Sequence, residues 1–128
     1  MTMAQLDDGT VLDVSADDVR RKALREQAEH EHSAVHLRSG DAELIIGFRG
    51  DVGMCYWSTL SPGDAVTAGG DNAEPVLFGS YDILVPPGAE IPVALVLDAA
   101  DQFARTGERP TCVQWVNYAE AFDAQRVD

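Results

Sequence analysis

Long apolar stretches are missing from this chain. No run approaches the ~18 consecutive apolar residues that a membrane-spanning helix needs. Near its N-terminus, acidic Asp7 and Asp8 stand where a secretory leader carries basic residues followed by an apolar segment. We therefore expect neither a membrane span nor a secretory signal, and we predict a cytoplasmic protein.

Cysteine is scarce, with only Cys55 and Cys112 among 128 residues. Two cysteines are too few for a disulfide scaffold. Both lie within apolar, strand-like runs, and free cysteine is among the most frequently buried residue types. We therefore predict two buried free thiols in a reducing compartment.

Basic residues are few and unevenly placed. The chain has 9 Lys and Arg against 22 Asp and Glu, a net charge of −13. No base occurs between Arg49 and Arg105, whereas the following acids do: Asp51, Asp64, Asp71, Glu74, Asp82, Glu90, Asp98 and Asp101. Direct binding to nucleic acid or an anionic membrane is disfavoured, because phosphates need Lys and Arg to neutralise them. Either a basic protein partner or solubility alone explains this acidity.

Catalytic patterns are also lacking. The three histidines of the chain, His30, His32 and His36, lie at the junction of a predicted helix and strand. This placement does not predict the defined geometry of three protein ligands that a catalytic zinc site needs. Cys55 has no partner at usable spacing, and Gly69-Gly70 lacks the lysine and following helix of a phosphate loop. We predict no catalytic residues, no metal, no cofactor and no enzymatic activity.

The stretch from Pro92 to Trp115 carries the strongest structural signal. Pro92 suits a first helical position, Gly107 suits a left-handed residue after the helix, and Thr111–Val116 has strand composition. Between them an apolar stripe spans about 120° of a helical wheel: Val93, Val96, Leu97, Ala100, Phe103 and Ala104. We expect this stripe to pack on the sheet that the strand joins, near Trp115.

The whole chain, residues 1–128, is predicted to form one domain. A helix is predicted over 16–30, with Ser15 as its N-cap. Strands are predicted at Thr10–Val14, Ser33–Arg38, Ala42–Phe48, Val52–Leu60, Pro75–Gly79 and Tyr81–Val85. Tight turns join the second, third and fourth of these strands, which predicts a meander. Ser61–Glu74 is predicted to be a long Gly- and Asp-rich loop. The fold class is α+β, an antiparallel sheet of about five to six strands with two helices packed on it.

Three motifs in this order suggest a family. Ile91-Pro92 opens the apolar helix, Phe103-x-x-Thr106-Gly107-x-Arg109-Pro110 ends it, and Val113-x-Trp115 follows. Together they resemble the C-terminal signature of the first-numbered immunity-protein family of bacterial polymorphic toxin systems. The resemblance implies a small cytosolic α+β protein that binds and neutralises a cognate toxin domain, often a deaminase or nuclease.

A toxin that handles nucleic acid presents a basic site, which carboxylates can occupy as phosphate surrogates. We therefore predict partner contacts at Asp64, Asp71, Glu74, Tyr81, Asp82 and Glu90, with Asp98 and Asp101 as a second choice. The partner is a toxin domain bound by a monomer or weak homodimer. Two alternatives stay open: a small ligand-binding domain or enzyme with a pocket under the 61–74 loop, and an interaction module without a toxin partner.

Overall fold

The computed structural model describes residues 1–29, 33–58, 64–78 and 83–123. The strands are β1 (Met3–Gln5), β2 (Val11–Asp13), β3 (Ser33–Ser39), β4 (Ala42–Arg49), β5 (Val52–Ser58), β6 (Ala65–Ala68), β7 (Val76–Phe78), β8 (Ile83–Val85), β9 (Ile91–Pro92) and β10 (Gln114–Asn117). The helices are α1 (Asp17–Ala28), α2 (Val93–Thr106) and α3 (Tyr118–Asp123).

In the described part of the chain, eight strands form one antiparallel sheet in the order β10-β6-β5-β4-β3-β1-β2, with β9 also paired to β5. Strands β7 and β8 form a separate two-stranded ribbon. The predicted α+β class with an antiparallel sheet is confirmed. The sheet is larger than the five to six strands expected, because the short strands β1, β6 and β9 gave no recognisable sequence pattern.

The centre of the sheet is the meander β3-β4-β5, as the tight turns between these strands predicted. Leu44, Ile46 and Phe48 are buried in one core cluster with helices α1 and α2, and Ile45 is buried in a second cluster with the β7-β8 ribbon. Because side chains alternate along a strand, β4 faces both clusters and is apolar almost throughout. Its near-continuous apolar sequence follows from this two-sided burial.

Helix α2 follows the predicted pattern closely. Val96, Ala100 and Phe103 are buried, and Gly107 adopts φ 68° at the C-terminus, where its N–H donates to the carbonyl of Phe103 at 2.7 Å. The position of Pro92 differs by one residue: it is the N-cap, with ψ 142°, and also belongs to strand β9. The pairing of β9 with β5 requires this extended backbone, so the helix begins at Val93.

The last strand begins later than predicted. Strand β10 starts at Gln114, because the amides of Thr111 and Cys112 donate instead to the carboxamide oxygen of Gln102, at 3.0 and 3.2 Å. Cys112 is exposed, so its predicted burial is wrong, whereas Cys55 is buried as predicted. Burial raises the pKa of the Cys55 thiol, which therefore stays protonated at neutral pH.

The predicted Ser61–Glu74 loop is wrong in its middle. Residues Ala65–Ala68 form strand β6, which pairs with β5 on one side and β10 on the other. Four residues flanked by Gly and Asp are too short to show a strand period, so only pairing with both neighbours defines this element. Positions 59–63 lie outside the described residues.

Helix α1 lacks its predicted cap. Its N-cap is Ala16, which makes no side-chain capping bond, while the hydroxyl of Ser15 accepts the N–H of Thr2 at 2.8 Å. Within the described residues, no helix combines the length and the apolar character needed to cross a membrane.

A buried arginine ties α1 to α2, and sequence reasoning missed it. The Arg20 side chain is fully buried and donates to Asp101 Oδ1 at 2.8 Å and to the Val14 carbonyl at 3.0 Å. It also pairs with Asp17. Its burial could have been inferred from its position four residues before Leu24, because residues i and i+4 lie on the same side of a helix.

Asp101 therefore has a structural task. Its side chain is only 13% exposed and pairs with Arg20 and Arg21. Arg105, one turn further along α2, pairs with Asp17 at 3.3 Å.

We expect Asp101→Ala to lower the free energy of unfolding by about 2–4 kcal/mol, because it removes a carboxylate partner of a buried guanidinium. The matched control is Asp98→Ala, one turn earlier and exposed, which should change stability by less than about 0.5 kcal/mol. Urea denaturation at pH 7 measures both. Equal losses for the two variants would contradict the assignment.

Phe103→Ala should cost about 3–5 kcal/mol, because Phe103 is fully buried and packs edge-to-face on Trp57, with ring centroids 5.7 Å apart. Leu95→Ala on the same helix, where the side chain is 37% exposed, should cost far less. Guanidinium titrations of both variants test this. A small effect at Phe103 would mean that α2 does not pack on the sheet as described.

Candidate functional site

The predicted contact residues do not all meet in one place. Asp71, Glu74 and Glu90 belong to segments that meet at one end of β6, whereas Asp64 precedes the other end of this strand. Four extended residues separate these ends by about 13 Å. Tyr81 and Asp82 lie outside the described residues.

Glu90 is a buried carboxylate. It is only 3% exposed, and the guanidinium of Arg49 binds it through two nitrogens, with Nε to Oε2 at 2.7 Å. The hydrogen bond with Glu90 raises the pKa of Arg49. Such two-point pairs are stronger and more specific than single contacts. Direct contact between Glu90 and a partner stays a prediction, but its carboxylate is already engaged within the chain.

Asn72 connects the segment after β6 to the segment before β9. Its carboxamide oxygen accepts the N–H of Glu90 at 2.9 Å, and its nitrogen donates to the carbonyls of Pro86 and Glu74. A Cβ on Gly70 would lie 1.7 Å from the Glu90 carbonyl oxygen, so only glycine fits there. Together these contacts fix the backbone that presents Asp71.

An open cleft of about 400 Å³ lies between these segments and the β4-β5 turn. We call it the acidic cleft; its lining is Arg49, Asp51, Val52, Gly69, Gly70, Asp71, Asn72, Glu90 and Pro92. Asp51 and Asp71 are exposed, and the one cation in the lining is paired with Glu90. The cleft therefore presents uncompensated negative charge to solvent.

The acidic cleft is more highly charged than the pocket that the ligand-binding alternative requires. Small-molecule sites are mostly apolar with a few polar groups, whereas this lining includes two exposed carboxylates and the Arg49–Glu90 ion pair. Among the described residues, no group of three His, Cys, Asp or Glu side chains is arranged to hold a metal ion. The chemistry that the cleft does offer is attraction and hydrogen bonding to cations.

Asp64 lies in a second, partly buried setting. Its carboxylate accepts a hydrogen bond from the hydroxyl of Tyr56, and its carbonyl accepts the N–H of Tyr118 at 2.9 Å. Burial, reinforced by the bond to Asp64, raises the pKa of Tyr56, so the phenol remains a donor at neutral pH. The rings of Tyr56 and Tyr118 meet edge-to-face at 5.0 Å.

Sequence reasoning missed Arg49, Asp51 and Asn72 as members of the cleft. Arg49 and Asp51 flank a glycine turn, a pattern that read only as a strand connection. Asn72 looked like one more polar loop residue. Their proximity to Asp71 and Glu90 comes from strand pairing over long sequence distances, which local patterns do not encode.

We expect Arg49→Met to lower the free energy of unfolding by about 1–3 kcal/mol, because it leaves the buried Glu90 carboxylate unpaired. The estimate is below that for a fully buried pair, since the Arg49 side chain is 40% exposed.

The matched control for that variant is Arg38→Met on β3, whose pair with Glu43 is exposed. It should change stability by no more than about 0.5 kcal/mol. Chemical denaturation at pH 7 compares the two, and an equal or smaller loss for Arg49→Met would show that Glu90 does not depend on this pair.

Comparison with known proteins adds a family assignment. The sequence model described as Immunity protein Imm1 matches residues 7–117. The match extends from just after β1 to the end of β10, so it includes both long helices, the ribbon and all the described residues of the acidic cleft. A comparison with curated proteins found no match. On the family match, the chain belongs to the Imm1 immunity protein family.

Proposed function

We propose that this chain neutralises a toxin domain of the nucleic-acid-processing type, a deaminase or a nuclease, by binding it stoichiometrically and covering its active site. Membership of the immunity family supports a toxin-neutralising role. The toxin chemistry and the mode of inhibition are our inference from charge. Inhibition by occupancy needs no catalytic group, so we propose a non-enzymatic protein that acts in the cytoplasm as a monomer or weak homodimer.

The observation that carries this proposal is the uncompensated negative charge at the acidic cleft. Asp51 and Asp71 are exposed there, and Glu74 is exposed on the continuation of the same segment. No lysine or arginine occurs between residues 50 and 104 to offset them. A surface of this kind attracts basic proteins and repels nucleic acid.

A nucleic-acid-processing active site is the kind of basic surface that fits. It holds phosphates through Lys and Arg, and carboxylates form the same charge-assisted hydrogen bonds with those side chains. An immunity protein that places carboxylates there competes with the substrate for the same groups. An interface of about 1,600 Å² in total would be sufficient for a stable complex.

The proposed contact residues differ in the tasks that we assign to them. We expect Asp71 and Glu74, the leading pair, to make the main contacts with the toxin, because both are exposed and the hydrogen bonds of Asn72 hold their backbone in place. We propose that Glu90 supports the surface by holding Arg49. Asp64, Tyr81 and Asp82 stay in the proposed set, the last two as predictions from sequence.

The test is to neutralise the leading pair with Asp71→Asn/Glu74→Gln and to measure binding to a catalytically inactivated variant of the cognate toxin domain. We expect the association rate constant to fall about threefold to tenfold at low ionic strength, with a smaller salt dependence, because charges at an interface rim mainly steer encounter. Stopped-flow or surface plasmon resonance at two ionic strengths measures both quantities.

The control is Glu26→Gln/Glu108→Gln, which removes the same charge from exposed positions on α1 and after α2. It separates a local effect from a change in net charge. Identical rates and salt slopes for the two double variants would mean that the toxin does not dock at the acidic cleft.

A further inference from the structure

The β7-β8 ribbon carries an apolar pair on the side that faces away from the core. Phe78 and Val85 are buried in the cluster beneath the ribbon. Between these positions Leu77 lies directly opposite Leu84, and their side chains are 51% and 39% exposed. We call this pair the leucine patch.

The leucine patch departs from the usual pattern for a strand pair covered on one face. Such strands normally place polar residues on the solvent side. A single exposed leucine is ordinary, whereas adjacent exposed apolar side chains form a patch that associates with other surfaces. The other large exposed apolar side chains of the described residues lie on separate elements: Met1, Val11, Val19 and Leu95.

Carboxylates flank the leucine patch. Glu74 is exposed two residues before β7. On the β8 side, the hydroxyl of Tyr118 donates to the Leu84 carbonyl, and the N–H of Tyr118 donates to the backbone carbonyl of Asp64. Glu120, two residues after Tyr118 in α3, is exposed. The patch is therefore an apolar centre beside acidic groups, in a span of sequence without bases.

We propose that the leucine patch is the apolar centre of the surface that binds the toxin domain. The partner that fits is a protein surface with an apolar centre bordered by Lys and Arg. This inference rests on the proposed function and adds to it the source of affinity. Interfaces combine an apolar core with a polar rim, so the acids would set the association rate while the leucines slow dissociation.

Charge also argues against a second copy of this chain as the occupant. A two-fold symmetric contact places the same patch of each copy face to face. Glu74 and Glu120 of one copy would then approach the same acids of the other, and like charges held close together repel. A basic partner meets the same patch with attraction.

The test replaces both leucines in Leu77→Thr/Leu84→Thr, which keeps strand propensity while removing apolar surface. Binding to a catalytically inactivated variant of the cognate toxin domain is measured by surface plasmon resonance. We expect the Kd to rise about tenfold to a hundredfold, mostly through faster dissociation. The matched control, Val19→Gln/Leu95→Gln, removes two exposed apolar side chains from α1 and α2 and should change the Kd less than about threefold.

A second measurement does not depend on the variant folding. Hydrogen exchange of the wild-type complex should show new protection at residues 76–78 and 83–85. Normal binding by the double variant, or no new protection, overturns the inference and leaves the proposed function standing. Failure of the wild-type chain to bind the toxin domain overturns both. A wild-type dimer that the double variant abolishes without loss of toxin affinity would show that a second copy occupies the patch.

Discussion

The hydroxyl of Thr67 holds the sheet together at the point where it divides. Strand β5 pairs with β6 at Tyr56 and Trp57, and then with β9 at Val52 and Gly53. At the junction, the Thr67 hydroxyl accepts the N–H of Cys55 at 3.1 Å and donates to the Ala89 carbonyl at 2.7 Å. A fully buried side chain thus replaces a ladder bond and binds the inserted segment.

The rest of the structure depends on this insertion. Because residues 89–92 enter beside β5, Pro92 is extended and α2 begins one residue later, directed across the sheet. The same insertion carries Glu90 to Arg49 and places Gly70 against the Glu90 backbone. The position of the cleft and the start of the long helix therefore both follow from the change of pairing partner along β5, from β6 to β9. A bulkier residue at Gly70 would disturb both, since a Cβ there has no space.

The acidic residues of positions 50–104, where the chain has no Lys or Arg, are of two kinds: some form structural contacts within the chain and others are exposed to solvent. Glu90 and Asp101 are paired with arginines and hold elements together, and Asp64 is hydrogen-bonded to Tyr56. Asp51 and Asp71 remain exposed. The formal charge of residues 50–104 therefore overstates what a partner would meet, and the proposed contacts depend on the exposed acids and on Leu77 and Leu84.

The local features of this protein can be predicted from its amino-acid sequence: the amphipathic pattern of α2 and its glycine C-terminus, the β3-β4-β5 meander, and the absence of bases from residues 50–104. They depend on the spacing of apolar side chains, on the backbone preferences of single residues and on composition, none of which requires knowledge of distant contacts. The fold was needed to establish that Ala65–Ala68 is a strand, that Thr111 and Cys112 bind Gln102, and that Arg20 is buried. Each depends on a partner distant in sequence: β5 and β10 for β6, α2 for the two amides, and Asp101 for Arg20. Long-range pairing supplies the hydrogen bonds and countercharges that make such placements favourable, and no local pattern records it.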